Sequence, residues 1–182
     1  MSCLLTGGRA EPCKESVGGL QAVYFMDFSS GSFDKNTSNL PEIDDLDGYT
    51  VYKYELKGTS AYTETVNTSR ENGTTFFSQE LTLNLKKLTN GMTTELKLLA
   101  YGRPQIIVHT KNGEAFMMGE TEGADLTGGT IQTGAALGDL YGYSMTFTGT
   151  EPLPATYLQN PSVSDPFSGL DGQPTISTST IT

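Results

Sequence analysis

RENGTTFFSQELTLNLK, Arg70 to Lys86, decides how this chain folds. From Phe77 onward its residues fall into two rows: Phe77, Gln79, Leu81, Leu83 and Leu85 on one side, Ser78, Glu80, Thr82, Asn84 and Lys86 on the other. Successive side chains of a strand point to opposite faces, so the segment predicts one β-strand with an apolar face and a wet face. At about 3.3 Å per residue it spans on the order of 30 Å, longer than an ordinary strand. Gln79 is the single polar residue of the apolar row. The wet row carries no catalytic constellation. Long two-faced strands without chemistry on them suit a building block better than an enzyme.

The neighbouring segments repeat the β theme. Asn72-Gly73, a pair that tolerates positive φ, marks a turn before the long strand, and Ala61 to Thr68 reads as another strand. Upstream, LQAVYFMDF (Leu20 to Phe28) is an apolar run expected to be buried on both faces. Tyr49 to Gly58 alternates, with Tyr52, Tyr54 and Leu56 opposite Val51, Lys53 and Glu55. Asn90-Gly91 is expected to close the long strand. One helix is predicted over 93–101, where Met92, Leu96, Leu99 and Ala100 share a face, Thr93 caps the start and Gly102 provides a left-handed end before Pro104. A helix this short cannot stand alone, so its stripe must lie on a sheet. PQIIVHT and EAFMMGE flank Lys111-Asn112-Gly113 as a tight hairpin, and Tyr143, Met145 and Phe147 mark a final half-buried strand.

Composition sets outer limits. A chain of 182 residues and 19.5 kDa fits one domain with an arm or tail, and it can bury enough surface without a metal or disulfide framework. Its 21 glycines, with many Thr and Ser, favour turns and strands over helices. With 21 acidic residues against 11 basic ones the net charge is −10, which argues against gripping a polyanion, since that requires Lys and Arg on phosphates. No run reaches the roughly 18 apolar residues of a membrane span. The start, MSCLLTGGRAEPC, lacks the basic and apolar regions of a signal peptide, so the triplets beginning at Asn36, Asn67 and Asn72 are not expected to be glycosylated.

Candidate sites fail on geometry. Cys3 and Cys13 can close a short disulfide loop, but two reduced thiols are expected in a cytosol-made protein. With His109 the lone histidine, no zinc set exists, and Glu42, Asp44, Asp45 and Asp47 lack the alternate spacing and closing Glu of a calcium loop. The long polar loop that holds them, Ser29 to Gly48, reads as a solvated or interface loop. His109 lacks a nucleophile and an orienting acid, so a structural role is expected. Gly129 to Gly134 lacks the Lys-Ser/Thr of a phosphate loop and reads as a bulge or bend. Nothing brings Glu114, Glu120, Glu122, Asp125 or Asp139 together as a carboxylate pair. No catalytic, cofactor or metal residue is therefore assigned.

Three stretches, SRENGTTFFSQELTLNL, LKLLAYGRPQIIVHTKNGEAFMMG and GADLTGGTIQTGAALGDLYGYSMTFTGTEPLPA, make residues 69–155 resemble the tail tube (major tail) proteins of tailed bacteriophages. The resemblance implies a mainly β fold: an antiparallel β-sandwich or barrel with one short flanking helix. It also implies a virion protein that self-assembles into hexameric rings, stacked as a tube that conducts the genome. Its partners would be further copies, other virion tail proteins, and DNA passing without sticking through an acidic lumen. Its place would be the virion tail, assembled in the host bacterial cytoplasm, with no membrane. Three regions follow: an arm (1–19), the β domain (20–158) and an extended tail (159–182). In the tail Val163, Phe167, Leu170 and Ile176 are apolar anchors too sparse for a core, so docking on a neighbouring subunit is expected. The arm and the proline-punctuated tail depart from a plain tube subunit and keep a ring, adaptor or capsid-associated role in view. The alternative from another class is a β-sandwich binding module displayed on a particle.

Overall fold

The computed structural model describes residues 7–11, 13–36 and 41–177. Along them run β1 (Leu20–Met26), β2 (Lys35–Asn36), β3 (Glu42–Ile43), β4 (Thr50–Glu55), β5 (Ala61–Ser69), β6 (Thr74–Lys86), α1 (Asn90–Tyr101), β7 (Gln105–Thr110), β8 (Ala115–Met118), β9 (Asp125–Gln132), β10 (Gly142–Glu151), β11 (Thr156–Tyr157) and β12 (Thr175–Ser177). The fold is mainly β and sandwich-like, with one short helix. A six-stranded sheet ordered β11-β8-β7-β1-β4-β12 faces a four-stranded sheet ordered β5-β6-β10-β9, and β2-β3 form a small ladder.

β6 is the long strand that the alternation predicts. Leu81 and Leu83 are wholly buried and Gln79 nearly so, while Glu80 is exposed. β10 pairs with β6 from Gly142↔Lys86 to Glu151↔Phe77, so the strand is held on both edges over much of its length. The turn to β5 contains Asn72-Gly73, with Gly73 at φ 63°, where a Cβ would be strained. The apolar rows of β6 and β10 meet the six-stranded sheet in one cluster: Leu81, Leu83, Met145 and Phe147 join Val23, Phe25, Ile106 and Val108. Phe25 and Phe147 touch across the layers at 5.2 Å between ring centroids.

β1 is buried on both faces, as its unbroken apolar run requires. Val23 and Phe25 look into the sandwich, whereas Ala22, Tyr24 and Met26 belong to a second cluster on the far side of the six-stranded sheet. Covering that side are Phe33, Ile43 and Leu46 from the polar loop, and Leu158, Phe167 and Leu170 from the tail. Loop and tail are stitched together: Gln159 donates to Ile43 O, Asp171 to Asp44 O and Leu46 to Gly172 O.

Here the tail departs from expectation. Phe167 is 1% exposed and sits edge-on to Tyr24 at 5.0 Å, and β12 adds to the sheet parallel to β4. Phe167 and Leu170 therefore help close their own domain's core and β12 extends its sheet, while Val163 and Ile176 stay exposed, so the boundary at 158/159 does not end the packed unit. Counting apolar anchors in the tail alone missed the partner face that β1 offers Phe167. The described residues of the arm, by contrast, are exposed and outside any strand or helix.

The helix begins earlier than predicted. Thr89 is its N-cap, accepting from the Met92 N–H, and Asn90-Gly91 lie inside its first turn. Lys87, at φ 71°, makes the turn out of β6 instead. Gly102 is extended (φ −90°), not left-handed, and its N–H still donates to Leu98 O. Tyr143 fixes the helix start from β10, donating to Thr89 O and bonding Thr93 Oγ1.

Leu83→Ala should cost about 2–5 kcal/mol through lost burial and the cavity left behind, read by chemical denaturation, and Leu83→Asp should prevent folding. Phe167→Ala should cost about 3–5 kcal/mol by the same mechanism. A chain ending at Leu158 should lose its cooperative melt; a wild-type melt would separate the tail from the core.

Candidate functional site

The residues singled out for chemistry are dispersed, some held by separate structural partners and others exposed. His109 is 1% exposed, with Nε2 3.0 Å from Ser162 O, so it ties β7 to the tail. Desolvation lowers its pKa; the Ser162 carbonyl and Asp165 oppose that shift, and Lys53 adds to it. Glu120 pairs with Lys35 and accepts from Thr156. Asp139 accepts the Ala136 and Ala135 N–H groups, which holds its carboxyl below the usual range. Glu114, Glu122 and Asp125 are exposed. Ile43 and Leu46 point into the core between the loop acids, and Asp45 accepts the Asp47 N–H. Among the described residues no three His, Cys, Asp or Glu side chains form a group able to hold a metal ion. Cys13 is exposed, and Cys3 lies outside the described residues, so their pairing does too.

Glu151 and Gln79 are among the buried acceptor positions; the sequence reading missed Glu151 and noted Gln79 only as the polar exception of its row. Glu151, 3% exposed, receives the Thr121 and Glu122 N–H groups at 3.1 and 2.9 Å. Gln79 receives the Gly119 N–H at 2.9 Å and donates to Glu64, whose same oxygen takes the Ala155 N–H. Both tie the four-stranded sheet to the loops between strands. The signal for Gln79 was present: a polar residue in an apolar row must be satisfied when buried.

Two concavities flank the four-stranded sheet. One, of about 350 Å³, runs between α1 and β9, with Leu96, Ala100, Leu126, Gly129 and Ile131 in its wall. The other, about 330 Å³, is a shallow depression on the sheet's outer face around Thr63, Thr65, Ser78, Glu80 and Thr148. Neither wall holds two carboxylates. Among the described residues, what the sheet does offer is two edges without a paired strand. β5 and β9 are its outermost strands, and the alternating antiparallel order makes them run in opposite directions. Unpaired edges carry bare N–H and C=O groups that recruit other strands unless blocked. Neither β5 (AYTETVNTS) nor β9 (DLTGGTIQ) contains the Pro or Lys that commonly blocks an edge, although β9 is bulged at Thr127 and β5 carries Glu64 on its core-side row.

In comparison with known proteins the chain matches no family model, no curated protein and no solved structure.

Because burial lowers the His109 pKa, the unfolded chain binds a proton more readily than the fold does. Stability is then full above the ordinary value of 6.5 and falls as pH drops below it. His109→Gln should flatten the pH dependence of the melting temperature in that window, whereas an unchanged slope would assign the acid sensitivity elsewhere.

Proposed function

We propose that this chain is a structural virion subunit whose four-stranded sheet joins, edge to edge, with the sheets of further copies to close a ring. The rings stack as a tail tube that passes the phage genome. The observation that carries this reading is the register of the two open edges. Thr63 lies opposite Glu80, and Thr130 lies opposite Ser144, itself opposite Asn84. Setting β5 of a second copy fully alongside β9 thus needs an offset of four ladder steps, from Glu80 to Asn84. Thr63 then faces Thr130, Thr65 faces Gly128, and outward side chains meet outward side chains. Four strands about 4.8 Å apart with that offset tilt by roughly 35°, inside the range of closed barrels. The pairing is antiparallel and heterologous, a geometry that generates a ring where the rotation between copies closes.

The six-fold count and the virion tail setting come from the resemblance of residues 69–155 to tail tube proteins. With six copies the closed barrel would measure on the order of 45 Å between opposite backbones, and barrels with fewer strands already leave aqueous channels. The outer face of the sheet would line that channel. It is rich in hydroxyls, such as Thr82, Thr146 and Thr148, with Glu80 and Asp125 against Lys86. Such a lining repels phosphates weakly, over a reach of about 8 Å at physiological salt, and offers them no anchor. Assembly would take place in the host bacterial cytoplasm with other virion tail proteins.

A chain with Cys3 and Cys13 replaced by serine and carrying Thr63→Cys with Thr130→Cys should cross-link into a ladder of multimers with a short thiol reagent. Either cysteine alone should give no ladder beyond a dimer. A double variant that stays monomeric while the protein assembles would place the contact elsewhere.

A further inference from the structure

β5 is an edge strand with an acid on its inner row. Glu64 stands opposite Gln79, on the row of β6 that carries the buried Leu81. It is half-buried, and one carboxylate oxygen, Oε1, takes both the Gln79 side-chain amide and the Ala155 N–H at 3.0 Å. Those two bonds hold the carboxylate in place. Among the described residues the other oxygen, Oε2, accepts no hydrogen bond, and no cation pairs with Glu64. An inward-pointing charge on an edge strand turns away partners that cannot meet it. A second β5 is one of these, because pairing β5 with β5 about its middle sets two Glu64 carboxylates on one row of adjacent strands.

The other edge supplies what Glu64 lacks. In the wall of the groove between α1 and β9 stands Lys97, exposed and outside both ion pairs of the described residues. Gly129 shares that wall from the inner row of β9, where it stands opposite Met145. Without a side chain, Gly129 leaves room on the row that α1 overhangs. The four-step offset sets Thr63 against Thr130 and Thr65 against Gly128, so Glu64 falls against Gly129 on the same inner row. A slip of two residues would set Glu64 against Ile131 or against the bulge at Thr127, where its charge loses water without gaining a partner. Within one chain β5 and β9 are opposite edges of the sheet, three strand spacings or about 14 Å apart.

We infer that Lys97 of one copy pairs with the unbonded Glu64 oxygen of the next across the β5–β9 joint, an ion pair that selects the partner edge and fixes the offset. The inference rests on the edge-joining reading above and adds the groups that set its register. Complementary charges at a joint act in this way, rejecting like-charged partners and fixing alignment.

The test treats the full chain, at high concentration, with a zero-length carbodiimide that couples a carboxylate to a touching amine, and maps the product by peptide mass spectrometry. Multimers should contain a Lys97–Glu64 link that is lost in Lys97→Gln. Lys97→Glu should melt like wild type and give no multimers on sedimentation. Adding Glu64→Gln to it should restore part of the assembly by removing the repulsion. Wild-type assembly by Lys97→Glu would overturn the ion pair. So would a cross-linked ladder through Thr63→Cys and Thr130→Cys in a protein that yields no Lys97–Glu64 link, and that result would leave the edge joint standing. A wild-type chain that stays monomeric would remove the joint and the ion pair together.

Discussion

Leu81 and Leu83 are sealed in the core while Glu80 and Thr82, their neighbours in the chain, lie on the outer face. A one-residue slip of β6 would reverse that arrangement, placing the leucines in water and Glu80 in the apolar cluster. This constraint fixes the register with β5 and β10, and through them the position of β9 and both open edges. The sandwich, the helix seated by Tyr143 and the polar outer face follow from one strand that can be buried in only one phase.

The six-stranded sheet imposes a second demand. Its central strands β1, β7 and β8 are buried on both faces, and only one face meets the four-stranded sheet. The polar loop and the tail cover the other with a few well-spaced side chains: Phe33, Ile43 and Leu46 from one, Phe167 and Leu170 from the other. Backbone bonds between the two segments then join the small β2–β3 ladder of the loop to the tail. Acidic residues at positions 42–47 keep this cover soluble while Ile43 and Leu46 anchor it, which accounts for a run of carboxylates without a ligand.

Periodicity made most of the fold legible. The alternation in β6 and β10, the apolar run of β1 and the hairpin of β7 and β8 each encode their burial locally. Long-range pairing was not legible. The tail's anchors looked too sparse because the partner face of Phe167, on β1, is more than a hundred residues away in sequence. Thr89 was passed over as the helix cap because Asn90-Gly91 reads equally well as a turn; its own hydroxyl, capping the Met92 N–H, and the Tyr143 hydroxyl from a distant strand together favour the earlier start. The open edges are likewise a property of strand order, which no local pattern reveals.

Edge joining at a four-step offset links the fold to the proposed role, and an axial view of the assembled protein tests it most directly. Averaged electron micrographs of purified protein at high concentration should show closed rings whose inner wall is one continuous sheet, with Thr63 of each copy facing Thr130 of the next. Monomers at every concentration, or rings joined through the helix with β5 and β9 left unpaired, would contradict the account.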